Sequence, residues 1–389
     1  MFTFFRFVRK ARHQVLLMLG AMLLAACQAG LPGGDGPRVR SGAPIEVALL
    51  LPYGSASPGD EIVARGLENA ARLAASEFEG VQFEITVYNT AADPAQAATV
   101  ARTAVQQGAR VIVGPLRSDA AAAVGVALSN SNVSILSFSN NTEIAGGNVF
   151  VLGHTFQNSA TRIARYAVAQ GRGRVMVLHA QNLAGEVARD AVQSAFTLSG
   201  GTIAGVRSYE FSQQGVVQAI PDIIDQIRAA DANALMFTSD ASAALPLFAQ
   251  LLPENGLDTE AVQVMGLTRW DVPSQTLELS GLQGGWFALP DPDATAAFNA
   301  RYTAAFGDTP HVLAPIGYDA IRAIAETAIG QDTLGAEALT ASSGFAGANG
   351  VFRLRPDGTN QRAMAIATVE NNQVTIIDPA PGRLAGPGL

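Results

Sequence analysis

The chain has little charge and almost no sulfur chemistry. Charged residues fill 15% of its 389 positions, and a single cysteine, Cys27, stands near the start. One cysteine excludes an intrachain disulfide. Basic clusters are missing beyond the first dozen residues, and the net charge is −8. A nucleic-acid groove needs the opposite balance, so nucleic acid is excluded as a partner. Catalytic signatures are missing too. There is no Gly-x-Ser-x-Gly elbow, no Gly-x-x-x-x-Gly-Lys-Ser/Thr loop and no His-Glu-x-x-His helix. Gly171-Arg-Gly-Arg-Val175 lacks the third glycine of a dinucleotide loop and precedes a strand instead of following one. His154, His179 and His311 are far apart in sequence and read as structural. No catalytic residue, no metal site and no cofactor is expected.

What is present begins with a leader. Arg6, Arg9, Lys10 and Arg12 precede the apolar run Val15–Ala26. A basic start, a short apolar stretch and small residues at its end read as a secretory signal peptide over 1–26. The run is too short to span a bilayer, which takes about 20 residues. Leu24-Ala-Ala-Cys27 resembles the lipobox of bacterial lipoproteins, which implies cleavage before Cys27 and a lipid on its sulfur. Residues 27–43, rich in Gly and Pro, read as a flexible tether. Some 16 residues span roughly 20–24 Å on average and about 55 Å when fully extended. In lipoproteins of this kind an Asp after the cysteine retains the protein at the inner membrane. Gln28 stands here instead, so the expected location is periplasmic and lipid-anchored at the outer membrane.

Beyond the tether, apolar residues make up 48% of the chain, a globular composition long enough for two lobes. Strand patterns at 45–51, 82–88, 110–113 and 133–138 alternate with helical patterns at 61–78, 94–107 and 119–129. That order argues for a parallel, doubly wound α/β sheet. A second series follows Gly146-Gly147. Its strands are expected at 149–152, 174–179, 202–211, 234–237 and 262–267, and its helices at 158–170, 185–198, 216–230 and 241–252. The last third adds a strand at 285–289, helices at 294–306 and 316–329, and antiparallel strands near 351–354, 364–369 and 374–377. The Pro/Gly-rich end, 381–389, reads as a flexible tail.

The strand ends carry the polar loops, and ligands of such sheets sit beyond the carboxyl ends of the strands. Ser55 and Ser57 follow the first strand. Ser118 stands where the third helix begins, a place that suits a ligand carboxylate; the alternative is a plain N-cap. Ser139, Asn140, Asn141 and Thr142 form a polar turn that either orients a ligand or is a solvated loop. Asp240 follows the strand ending at Phe237, where a helix N-cap is the plain reading. Arg269, Trp270 and Asp271 make a polar-aromatic corner. It is either an interface anchor or an internal Arg–Asp pair with the Trp packed on the hinge.

Gly114-Pro-Leu-Arg-Ser118 resembles the Gly-Pro-x-x-Ser loop of leucine/isoleucine/valine-type periplasmic binding proteins. The turn Ser137–Thr142, the helix around Tyr318-Asp-Ala320 and the hairpin from Gly350 through Gly358 resemble other parts of that family in the same order. The resemblance spans most of 45–377. It implies a type I periplasmic-binding fold: two doubly wound lobes, a hinge crossed three times and an interlobe cleft. The first lobe would comprise about 44–152 and 290–342, the second about 153–289 and 343–380. It also implies an aromatic residue covering the ligand at the position of Ala184, and an acidic residue pairing the ligand's ammonium, for which Asp240 is the candidate. The start Val47-Ala-Leu-Leu-Leu-Pro52, Gly66 and the lipobox resemble penicillin-binding protein activator lipoproteins. That likeness implies a non-enzymatic regulator touching a peptidoglycan synthase. The alternative is the capture subunit of an ABC importer, handing a branched-chain or other amino-acid-like solute to a permease.

Overall fold

The structure is a computed structural model that describes residues 36–39, 42–242 and 244–384. The leader, Cys27 and the tether up to residue 35 lie outside the described residues. Among the described residues, no helix is long and apolar enough to cross a membrane.

The first lobe is built on five parallel strands in the order β2-β1-β3-β4-β5. These are β1 (Ile45–Leu51), β2 (Phe83–Asn89), β3 (Val111–Val113), β4 (Ser134–Ser137) and β5 (Val149–Val151). The inner strands are almost wholly apolar because helices cover both faces, as parallel sheets require. β2 lies at the sheet edge and alternates between half-buried and exposed positions. Helices α1 (Pro58–Glu77), α2 (Pro94–Gln106) and α3 (Ser118–Ala127) connect these strands. α8 (Pro292–Phe306) and α9 (Ala314–Gly330) return to the same lobe, where Phe298, Ile321 and Ile324 join Leu49 and Leu67 in one core. α1 and α9 meet at Gly317, where a β-carbon would lie 2.4 Å from the Leu67 carbonyl oxygen.

The second lobe holds a seven-stranded sheet, β15-β14-β10-β9-β8-β6-β7. β6 (Arg174–Ala180), β7 (Thr202–Tyr209), β8 (Ala234–Phe237), β9 (Gln263–Gly266) and β10 (Trp286–Pro290) run parallel. β14 (Met364–Glu370) and β15 (Gln373–Asp378) are added antiparallel. α4 (Phe156–Ala169) and α5 (Leu183–Leu198) cover one face. α6 (Gln213–Ala229) and α7 (Leu245–Glu254) cover the other.

One assignment needs correction. The sequence places 343–380 wholly in the second lobe. The structure divides it: β11 (Phe345–Gly347), β12 (Gly350–Leu354) and β13 (Asn360–Arg362) form a separate small sheet beside α10 (Ala336–Thr340). Phe345, Phe352 and Leu354 pack into the first lobe's core. Only β14 and β15 join the second sheet. A short alternating run cannot say which of two lobes its apolar face will meet.

Candidate functional site

On the first lobe, the ends of β1 and β3 are tied together by side chains. Ser55 donates to Asp60 Oδ2 at 2.7 Å, and Arg117 Nη2 donates to both Asp60 oxygens at 3.0 and 3.1 Å. Asp60 is buried while Arg117 reaches solvent. The Ser55 hydroxyl, and then Arg117, hold the Asp60 carboxyl below the usual carboxylate range against the opposing effect of burial. The Gly114–Ser118 loop folds beside this pair. Gly114 has φ +91°, and a β-carbon there would sit 2.3 Å from the Leu50 carbonyl oxygen. Only glycine fits this crossing.

Ser118 opens α3 as its first helical residue and is half-buried; the N-cap is Arg117, without a side-chain cap. The plain N-cap role therefore does not apply to it. Among the described residues, no histidine or carboxylate hydrogen-bonds Ser118. The next turn is partly self-consumed. The Ser139 hydroxyl accepts from Asn141 N at 3.1 Å, and Asn141 Oδ1 accepts from Glu143 N at 3.0 Å. Asn140 is exposed and Thr142 half-buried, so these two remain for a ligand. Ser57 is exposed, and its N–H donates to Ser55 Oγ.

The chain first crosses between the lobes at 152–155, between β5 and α4. Gly153 N donates to Ser139 O at 3.0 Å, which binds the crossover to that turn. His154 follows, with Nε2 3.5 Å from Asn349 Nδ2. Burial, then the positive charges of Arg362 and Arg269, hold His154 well below the usual histidine range. Arg269 belongs to the second lobe, just beyond β9. Loops of both lobes thus open on one crossover.

On the second lobe, Arg269 grips Asp271 bidentately at 2.9 and 2.5 Å. Trp270 between them is fully buried and packs on Phe287 in the second lobe's own core. The internal-pair arrangement describes this corner, except that the Trp is not at the hinge. Asp240 is exposed, and its Oδ1 accepts from Ser242 N and Oγ at 3.0 and 2.8 Å. It is not the cap of a helix, because α7 begins only at Leu245, with Ala244 as N-cap. Ala184 is exposed and carries no ring.

Residues 44–373 match the family model for periplasmic binding proteins. The chain belongs to the periplasmic binding protein family. Solved structures share the type I fold of this periplasmic binding protein. A branched chain amino acid ABC transporter periplasmic ligand-binding protein from Burkholderia xenovorans LB400 is 20% identical, with TM-score 0.66, covering 88% of this chain and 94% of its own. An ABC transporter substrate-binding protein from Sphaerobacter thermophilus is 22% identical, with TM-score 0.66 and coverages of 88% and 98%. One from Desulfitobacterium hafniense, in complex with Leu, is 18% identical, with TM-score 0.63 and coverages of 86% and 100%. Among curated proteins, an uncharacterized protein of Rickettsia prowazekii (strain Madrid E) is 22% identical over 279 residues, 69% of this chain and 73% of that protein.

In this periplasmic binding protein the first-lobe residues Ser55, Ser118, Ser139, Asn140, Asn141 and Thr142 lie at the ends of β1, β3 and β4. Asp240 and Arg269 lie at the ends of β8 and β9. Asp60 and Arg117 escape a reading of the sequence, because 57 positions separate them and nothing in the local pattern pairs them. The remaining clue is that Arg117 lies in the loop after β3 and Asp60 in the first turn of the helix after β1. Among the described residues, no group of three or more His, Cys, Asp or Glu could hold a metal ion.

Proposed function

We propose that this protein is a non-enzymatic periplasmic lipoprotein that closes its lobes over a small amino-acid-like solute. The supporting observation is the division of polar groups between the lobes. The α3 start at Ser118 and the Asn140–Thr142 turn offer N–H and hydroxyl donors to a carboxylate. Asp240 keeps Oδ2 for an ammonium, since the hydrogen bonds it accepts fall on Oδ1. Leu in the Desulfitobacterium hafniense structure is a ligand of that chemistry. In this reading the protein hands its solute to an ABC permease. Native mass spectrometry of protein purified from its producing cells tests the proposal. A co-purified amine-bearing small molecule, lost in Asp240→Asn, is the expected result. A ligand retained by that variant would refute the assignment of Asp240.

A second reading rests on the tether. With a lipid on Cys27 and Gln28 directing it to the outer membrane, about 55 Å of extended chain is poor reach for an inner-membrane permease. A regulator of a peptidoglycan synthase, resembling the penicillin-binding protein activators, suits that position better. Membrane fractionation separates the two. Outer-membrane residence with a synthase recovered by cross-linking favours the regulator; inner-membrane residence removes it.

A further inference from the structure

Among the described residues, the two large sheets have four edge strands: β2 and β5 in the first lobe, β15 and β7 in the second. Three of them are blunted. β5 is three residues long, and its Val151 N–H is already taken by Gly358 O at 2.9 Å. β7 and β15 each carry one extra residue, Ala204 against the Val175–Met176 step and Ile377 against the Ile366–Ala367 step. Short edges and bulges keep other chains from pairing with a sheet. β2 has neither. It keeps register with β1 from Phe83 to Asn89 without a shift, and it contains no proline, glycine or lysine.

The backbone groups of β2 alternate in direction. Gln82 O accepts from Ile45 N, and Thr90 N donates to Leu51 O, so the even-numbered positions turn toward β1. The N–H and C=O groups of Phe83, Ile85 and Val87 therefore face outward, where no strand meets them. The open edge ends at Asn89, whose carbonyl oxygen accepts from Gln96 Nε2 at 2.7 Å.

The two faces beside this edge differ. On one, Phe83, Ile85 and Val87 pack on the first lobe's core but stay half-buried. On the other, Glu46 and Glu84 stand directly opposite each other in the β1–β2 register. Like charges so placed repel. Arg110 Nε lies 3.1 Å from Glu46 Oε2 and offsets one of them. Glu84 is exposed, and among the described residues no cation lies within ion-pair distance of it. Beside the two carboxylates, at the end of α2, opens a cavity of about 200 Å³ lined also by Thr86, Tyr88 and Gln107. Tyr88 Oη donates to Gln107 Oε1 at 2.7 Å and fixes its polar wall.

We propose that the outer edge of β2 is a docking strand for an extended segment of another protein that alternates apolar and basic residues. An added strand sends its side chains alternately to the two faces. Its apolar side chains complete the cover of Phe83, Ile85 and Val87, and its basic ones reach Glu84 and the cavity. A second copy of β2 has no basic residue to offer there.

Fluorescence anisotropy with the full-length protein in detergent tests this. The probes are the end-blocked peptide Lys-Val-Lys-Val-Lys-Val, the same residues in the order Lys-Lys-Lys-Val-Val-Val, and Glu-Val-Glu-Val-Glu-Val. The alternating lysine peptide is expected to bind, and the other two at least about tenfold more weakly, the worth of one charge-assisted hydrogen bond. Glu84→Gln weakens the lysine peptide by a similar factor without changing the melting temperature. Ile85→Pro abolishes binding, because it removes an outward N–H at a position where an edge strand tolerates proline. Equal binding of the block-ordered or the glutamate peptide, or affinity indifferent to Glu84→Gln, overturns the proposal. So does absence of binding at about 1 mM peptide. Protein that sediments alone as a dimer, and as a monomer after Ile85→Pro, overturns it in favour of a second copy. None of these outcomes depends on what the cleft holds.

Discussion

Arg362 Nη1 lies 2.7 Å from Asp319 Oδ2, and both side chains are sealed from solvent. Asp319 comes from α9 of the first lobe, and Arg362 closes β13, just before the chain crosses to β14. Arg362 also donates to Leu152 O at 2.5 Å and stacks on Phe352, while Asp319 Oδ1 accepts from Ala348 N at 2.8 Å. Asn360 adds bonds to Val151 O and Gly153 O. Two of the three crossovers are therefore pinned to the first lobe by one buried network.

Removing one partner of such a pair leaves the other charge buried and unpaired. Asp319→Asn is expected to lose about 3–5 kcal/mol in urea unfolding. Replacing both partners with apolar residues, Asp319→Leu with Arg362→Met, should recover most of that loss. A double variant as unstable as the single one would show that the hydrogen bonds to Leu152 and Ala348, not the charges, hold the hinge.

Asp60 makes stability depend on acid in a defined direction. Its folded carboxyl titrates below the usual range. Its contribution is therefore complete above the unfolded value, about 4, and is lost as pH falls through the lower folded value. Asp60→Asn should flatten the fall of the melting temperature below about pH 4. An acid limb of unchanged steepness in the variant would rule out this pair as a cause.

His154 acts in the same direction from a base. Held below the usual histidine range, it stays neutral in the folded protein where an unfolded chain begins to take up a proton. Stability is then full above about pH 6.5 and declines as pH falls toward the depressed folded value. Nitrogen-15 spectra of the ring should report a neutral imidazole at about pH 6; a charged ring there would contradict this placement.

Trp270 lies flat on glycine. A β-carbon at Gly266 would fall 2.3 Å from Trp270 Cε2 and Nε1. Gly266→Ala should cost at least about 1–3 kcal/mol by overpacking and shift Trp270 emission to the red. In Trp270→Leu the same alanine should cost far less, a comparison that separates ring contact from a backbone effect at position 266.

Much of the fold is legible along the chain. Ile45–Leu51 is apolar apart from Glu46 because the strand is covered on both faces, and that local pattern declares a parallel sheet without reference to any partner. Gly114-Pro115 and the Ser137–Thr142 turn announce themselves in the same way, since their conformations depend on residue type. The helix bounds are less faithful: α1 starts at Pro58 and α7 at Leu245, where the preceding loops settle by tertiary contact. The aromatic cover implied at Ala184 is missing there.

The sequence by itself determined the alternation of strands and helices, the two-lobed class and the first-lobe turns, because these follow from periodicity and from what Gly, Pro, Ser and Asn do locally. Only the tertiary structure decided which lobe receives Phe345–Leu354, that Asp60 holds Arg117, and that Asp319 is buried against Arg362. Each of those depends on residues far apart in the chain arriving at one place. The strength of charges and apolar surfaces is set by that shared environment, not by neighbours in sequence.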